Sequence, residues 1–256
     1  MPNEVVKCLL LDEPDKTGIH YKFVLEYQDG TVLPQEEIDI GGAKWKYKYP
    51  STKKKFTWKL LNHSTDFKNA RTLVRSLQLS MNSIQLITGL DIDYEQRDVK
   101  TDITKEFFNT LDVFGGRQNI LAQAWLYSPN SSKNGVQQYN DKSHIFTPYG
   151  WPVKKDGKVY ATQPLTEIDM HETMHTFGYR HDLVDNNSLV WPYVKAGYRH
   201  DGDNWVLQRS SFVWHERDVH RWHDGYGSSR IPDRWLQRWQ NYRINKLRPD
   251  TIPEER

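Results

Sequence analysis

The chain has 256 residues, a formal net charge of +2 and 27% charged residues, so it can bury one sizeable core, and no charge excess asks for a nucleic acid or a membrane surface. A single cysteine, Cys8, excludes an internal disulfide, and no window is apolar enough for a membrane span. The start of the chain lacks a basic stretch followed by a long apolar run, so the expectation is a soluble chain without a signal peptide, although a trimmed chain or one released by another route starts the same way.

In chain order, Val5 to Leu11 and Tyr21 to Tyr27 have strand-like composition, and Asp29-Gly30 signals a turn before Thr31-Val32-Leu33. Residues 1–50 read as a small β-rich extension, in which Cys8 is a small buried hydrophobe. Lys44-Trp45-Lys46-Tyr47-Lys48-Tyr49 alternates strictly, which puts lysines on one strand face and aromatics on the other, and Lys53, Lys54, Lys55 and Lys59 follow. A basic strand from Lys44 to Lys59 fits an anionic polymer; the plainer reading is an edge strand that its lysines keep from aggregating. Phe56 to Leu61 reads as a strand and Asp66 to about Ile87 as a long helix, with Phe67, Val74, Leu77, Met81 and Ile84 on one face and Gly89 as its stop. Asp91 to Tyr94, Asp102 to Phe108 and Asn119 to Tyr127 are strands, with a Gly115-Gly116 loop before the last. A polar loop over 128–143 leads to His144 to Thr147 and Val159 to Thr162, and Thr162 or Thr166 caps the next helix.

That helix opens the segment His171-Glu172-Thr173-Met174-His175-Thr176-Phe177-Gly178-Tyr179-Arg180-His181. Positions i and i+4 lie one above the other on a helix, so His171 and His175 offer two imidazoles to one ion, with Glu172 beside them. Gly178 ends the helix and turns the chain back, which brings His181 round as the third ligand. Three neutral imidazoles leave a zinc ion one open position, where a water becomes acidic enough to attack a carbonyl, with Glu172 placed to take its proton. Met170, Met174 and Phe177 form a separate apolar stripe for the core.

The long form of this motif, together with the order strand, long helix, strands, zinc helix, turn and final helix, resembles the metzincin metallopeptidases and their matrixin-like branch. The resemblance covers residues 51–228 and implies an α+β catalytic domain with a twisted mixed sheet, a long helix, the zinc helix and a C-terminal helix. It also implies one catalytic zinc; a calcium ion is compatible with it, but no ligand pattern here supports one. By resemblance, Leu121, Ala122, Gln123 and Ala124 belong to the upper-rim strand that binds a polypeptide substrate antiparallel. Gln123 stands where many matrixins have a histidine ligand of a structural zinc, so no structural zinc is expected, although His144 and Asp141 lie nearby. The methionine of the turn beneath the zinc is replaced by Val190, and Trp191, Pro192 and Tyr193 would form the pocket wall. Asp182 either anchors this turn or is a surface residue.

Gly178-Tyr179-Arg180-His181-Asp182 recurs as Gly197-Tyr198-Arg199-His200-Asp201, read as a local echo in a loop. Glu216 to Gly227 reads as a helix with Glu216, His220 and His223 on one face, a solvated or core-satisfied face before it is a second metal site; His215 lies just ahead of it. Residues 229–256 read as a helical tail, with Trp235, Trp239 and Tyr242 on one side. The expected function is zinc-dependent cleavage of an extended polypeptide with Glu172 as general base. The alternatives are an assembly protein that keeps the zinc fold, and a hydrolase of cell-wall peptides.

Overall fold

The computed structural model describes residues 5–10, 49–50, 52–127, 132–179, 181–182, 188–190, 193–194, 198–201, 204–207 and 216–227. The elements expected between residues 11 and 48 and the tail at 229–256 lie outside them. In chain order the elements are β1 (Val5–Leu10), β2 (Lys55–Leu60), α1 (Ala70–Thr88), β3 (Asp91–Tyr94), β4 (Ile103–Phe108), β5 (Ile120–Trp125) and β6 (Val136–Asn140). The short strands β7 (Phe146–Thr147), β8 (Val153–Lys155), β9 (Lys158–Tyr160) and β10 (Gln163–Pro164) lead to α2 (Leu165–Thr176). Last come β11 (Tyr193–Val194), β12 (Tyr198–Asp201), β13 (Asn204–Leu207) and α3 (Glu216–Tyr226).

This is a mixed fold, in agreement with the α+β class. Among the described residues its main sheet has seven strands in the order β11-β1-β5-β6-β4-β2-β3. Neighbours β3, β2, β4 and β6 are parallel, β5 runs antiparallel to both β6 and β1, and β11 is parallel to β1. Val5–Leu10, expected in a separate extension, is thus part of the main sheet. No helix among the described residues is long and apolar enough to cross a membrane.

The helix α1 shows how local chemistry sets an element. Its expected stop is observed: Gly89 has φ 69°, and its N–H reaches the Gln85 carbonyl at 2.8 Å. Its start is at Ala70 rather than Asp66, because the Asn69 side chain accepts from Thr72 N at 3.0 Å while Asp66 is drawn off to accept from Phe146 N at 2.7 Å. Phe67, Leu77, Met81 and Ile84 are buried as the pattern requires, and Val74 packs against them half-buried.

The expected loop at 128–143 is corrected by β6, which pairs parallel with β4 and antiparallel with β5. Its sequence VQQYN is too polar to read as a central strand, yet Gln137, Tyr139 and Asn140 are buried. Their polarity is consumed inside. Lys105, on the same inward face of β4 as Ile103 and Phe107, forms a fully buried ion pair with Asp169 of α2 and donates to Gln137 Oε1 at 2.8 Å. The Tyr139 hydroxyl joins the same group through Asp169 and Gln137, and Gln137 Nε2 donates to Thr173 and Thr176 at 3.1 and 2.9 Å. A buried pair of this kind fixes the rotation of α2 on the sheet rather than adding much net stability.

The lysines after residue 50 are engaged within the chain. Lys53 pairs with Asp102, Lys55 with Asp91 and Asp93, and Lys59 with Asp98, while Lys54 Nζ donates to the Tyr226 carbonyl at 3.0 Å. Lys44 to Lys48 lie outside the described residues.

Replacing one partner of the buried pair strands the other. Lys105→Met is expected to destabilise the fold by about 3–5 kcal/mol, and Lys105→Met with Asp169→Leu to recover part of that loss. Urea unfolding of the two variants checks this, and a single variant as stable as the parent contradicts it.

Candidate metal centre

Every one of the twelve residues of α2 is buried. The helix follows Pro164 with no side-chain cap, which corrects the expected threonine cap: Thr162 Oγ1 donates to the Trp151 carbonyl at 2.6 Å and Thr166 Oγ1 to the Pro148 carbonyl at 2.7 Å. Met170, Met174 and Phe177 lie in the hydrophobic core, as their spacing requires. At the other end Gly178 has φ 105°, a backbone that only glycine adopts cheaply, and Tyr179 N reaches the Met174 carbonyl at 3.0 Å. The chain turns back there and delivers His181 to the helix.

His171, His175 and His181 form a group whose ligand atoms all lie within 4.8 Å of one another, and it can hold a metal ion. The ring orientations follow from backbone partners. His171 Nδ1 is 2.6 Å from the Leu189 carbonyl and His175 Nδ1 is 2.6 Å from the Tyr179 carbonyl. A carbonyl only accepts, so each Nδ1 carries the hydrogen and each Nε2 presents a lone pair. Those two Nε2 atoms face each other at 2.8 Å. Burial, then the neighbouring histidine, pushes the proton affinity of His175 well down, which favours neutral rings that could share a metal ion. His181 Nε2 is buried without a hydrogen-bond partner, and burial and then its two histidine neighbours lower its proton affinity too. The donor set therefore fits a divalent metal bound by three neutral imidazoles.

Glu172 is fully buried, and neither carboxylate oxygen has a hydrogen-bond partner. Burial, then the Asp169 charge, raises its pKa well above the ordinary carboxylate value, with Lys105 opposing. Such an unmet carboxylate beside ligands costs free energy that a purely structural residue has no reason to impose.

The loop below the histidines is anchored by α3. Asp182 is buried, which leaves the turn-anchoring alternative of the two: its N–H reaches the Val190 carbonyl at 3.0 Å and its carboxylate pairs with Arg221. Arg221 also donates to Ser188 Oγ at 2.9 Å and to Asp218 at 3.0 Å, and Asp218 accepts from Leu189 N at 2.7 Å. The residue whose carbonyl orients His171 is therefore itself held by a carboxylate. Val190 is fully buried in the core cluster. Phe177, Tyr179, Trp222 and Tyr226 pack ring on ring, and the Tyr226 hydroxyl donates to the Phe177 carbonyl at 2.8 Å, so α3 grips the turn before His181 from two sides.

The other expected residues are distributed as follows. Leu121, Ala122, Gln123 and Ala124 lie in β5, buried between β1 and β6 rather than on a free edge. The Gln123 amide donates to the Val113 carbonyl at 3.0 Å and to Gln138 at 2.7 Å. Asp141 accepts from Ser64 and Thr65, and burial lowers the proton affinity of His144. Tyr193 is in β11, whereas Trp191, Pro192 and His215 lie outside the described residues. His220 is exposed and His223 half-buried, their rings 6.5 Å apart. The second GYRHD copy is corrected from loop to strand: Tyr198–Asp201 is β12, paired antiparallel with β13.

Sequence reasoning missed Lys105, Asp169, Gln137 and Tyr139 beneath the helix, and Ser188, Asp218 and Arg221 beneath the loop. One signal was legible: Lys105 occupies an inward position of an alternating strand, flanked by Ile103 and Phe107, where a lysine is tolerated only with a buried partner.

Metal-free protein is expected to lose stability as pH falls below about 6.5, where the unfolded chain protonates histidines that the fold keeps neutral at His175 and His181. Glu172, which holds its proton more tightly in the fold, opposes this, but one carboxyl acts against two histidines. Urea midpoints of chelator-treated protein at pH 7 and pH 5 check the sign; an equal or higher midpoint at pH 5 contradicts it. A comparison of the chain with protein-family models and one with curated proteins both find no match, so what is said of this centre rests on its residues and their geometry.

Proposed function

We propose that the protein is a zinc-dependent endopeptidase of metzincin type, matrixin-like, acting on an extended polypeptide. The observation that carries this reading is a group of three histidines whose ligand atoms lie within 4.8 Å of one another, with the buried, hydrogen-bond-free carboxylate of Glu172 next in sequence to the first of them. Zinc is the preferred ion because three imidazoles and an open fourth position match its tetrahedral chemistry, and when bound it supplies the Lewis acidity that makes water a nucleophile near neutral pH.

The chain's own residues do the rest. His171, His175 and His181 hold the ion, and the Leu189 and Tyr179 carbonyls fix two of the rings in the ligating tautomer. Glu172 takes the proton of the attacking water and hands it to the leaving amine. The Lys105–Asp169 pair holds the helix that presents Glu172. The Asp182–Arg221 pair holds the loop that presents His181.

No observation favours the assembly-protein reading. The polymer-binding feature of the wall-hydrolase reading is weakened by the internal partners of Lys53, Lys54, Lys55 and Lys59.

Glu172→Ala is expected to bind one zinc per chain like the parent and to cut a diverse peptide library at least about a thousandfold more slowly, combining lost general-base catalysis with lost water orientation. His181→Ala is expected to lose both zinc and cleavage. Metal analysis beside the digest checks both, and equal cleavage by the parent and Glu172→Ala removes the proposed role.

A further inference from the structure

Lys105 and Asp169 put a primary amine and a carboxyl group in direct contact where both side chains are fully buried. The enclosure is arranged around the carboxyl group. Asp169 Oδ1 accepts from the Tyr139 hydroxyl as well as from Lys105 Nζ, whereas Asp169 Oδ2 is buried without a hydrogen-bond partner. Glu172 stands three residues on along α2, on the face that carries Asp169, and both of its oxygens are likewise buried and unpartnered. The Lys105 ammonium is close enough to feel the charge of both carboxyl groups. Its nitrogen lies 5.4 Å from the centre of the Trp58 ring, and the stacked rings of Phe107 and Tyr139, with Phe146 edge-on to both, belong to the same core.

An ion pair in such a place is held against the preference of both charges for water. Burial pulls the proton affinity of Lys105 down, although Asp169 and Glu172 support it. A neutral amine and a neutral carboxyl group in contact are the reactants of an amide bond, and holding them together replaces the collision that makes the same reaction slow in solution.

We propose that Lys105 and Asp169 condense to an amide, so that an isopeptide bond joins β4 to α2 beneath the three-histidine group. The ammonium first gives one proton to the Asp169 carboxylate, which leaves an amine and a carboxylic acid. Nζ then attacks Cγ of Asp169 and forms the C–N bond, while the Tyr139 hydroxyl meets the charge that develops on Oδ1. Glu172 passes a second proton from the nitrogen to Oδ2, the Cγ–Oδ2 bond breaks, and Oδ2 departs as water with both protons. One ammonium and one carboxylate become one amide and one water, with no oxidant and no co-reactant. The product carries no charge, so the desolvation that opposes the ion pair favours the bond. Gln137 Oε1, which accepts from Lys105 at 2.8 Å, is an acceptor for the N–H that remains. The bond requires neither a metal ion nor peptide hydrolysis, so it does not rest on the peptidase reading.

The test is the mass of the intact, folded full chain. The parent is expected to weigh one water less than its sequence requires, and a protease digest is expected to yield one branched peptide that joins the stretch around Lys105 to the stretch around Asp169. A full sequence mass, or a dehydrated chain whose loss maps elsewhere, overturns the proposal. Two variants each remove one chemical capacity. Lys105→Arg keeps a cation for Asp169 but has no nucleophilic amine, and it is expected at full mass; a dehydrated Lys105→Arg chain overturns the assignment. Glu172→Gln keeps the size of the side chain without its capacity for proton transfer, and it too is expected at full mass; a cross-link as complete as in the parent overturns the route through Glu172. Peptide cleavage is followed in the same samples. A full-mass parent that cleaves removes the bond and leaves the peptidase reading, and a dehydrated parent that cleaves nothing does the reverse.

Discussion

A helix with no exposed face must find a partner inside the protein for every polar side chain it carries, and α2 is such a helix. That constraint orders the structure around it. Asp169 is met by Lys105, Thr173 and Thr176 by Gln137, and His171 and His175 by backbone carbonyls on one ring nitrogen each. Both oxygens of Glu172, the second oxygen of Asp169 and, beyond the helix, His181 Nε2 are buried without a hydrogen-bond partner. Next to these atoms lies the group of His171, His175 and His181, which could hold a metal ion.

The two charged devices that hold this point do different work. Lys105 and Asp169 are both fully buried, and desolvation pulls the lysine's proton affinity down even as the aspartate supports it, so the pair spends most of its attraction on its own burial. Its benefit is positional, because an ion pair between a strand and a helix tolerates one rotation of that helix and no other. The pair of Asp182 and Arg221 lies nearer the surface and belongs to a mesh with Ser188 and Asp218. It ties a loop to a helix. Between them, the ligands on α2 and the ligand beyond Gly178 are held from opposite sides, and neither depends on a regular element bridging the turn.

The legibility of this architecture in the sequence followed how local each cause was. Gly89 stops α1 by a contact within a few residues and was legible, whereas its start was read at Asp66 because the long-range bond that draws Asp66 to Phe146 is invisible locally; the spacing of His171, His175, Gly178 and His181 encodes a helix and a turn. The strand β6 was hidden because its glutamines and tyrosine have partners on α2 and β4, far away in sequence, and polar composition between two elements otherwise reads as loop. The placement of β1 was hidden for the same reason: a short apolar run announces a strand, but its neighbours were decided by β5 and by two residues after the third histidine. Arg221 looked like an ordinary helix residue because its value lies wholly in Asp182, Ser188 and Asp218.

The grip of α3 on the histidine loop also imposes an order of assembly. His171 and His175 are neighbours on one helix and can meet as soon as that helix forms, but the segment bearing His181 is secured by Arg221, Asp218 and Trp222. During synthesis these come off the ribosome some forty residues after the third histidine. A nascent chain that has made α2 therefore has two of the three histidines in place, and the third is secured only once α3 has formed. Assembly of the three-histidine group is thereby coupled to completion of the fold around it.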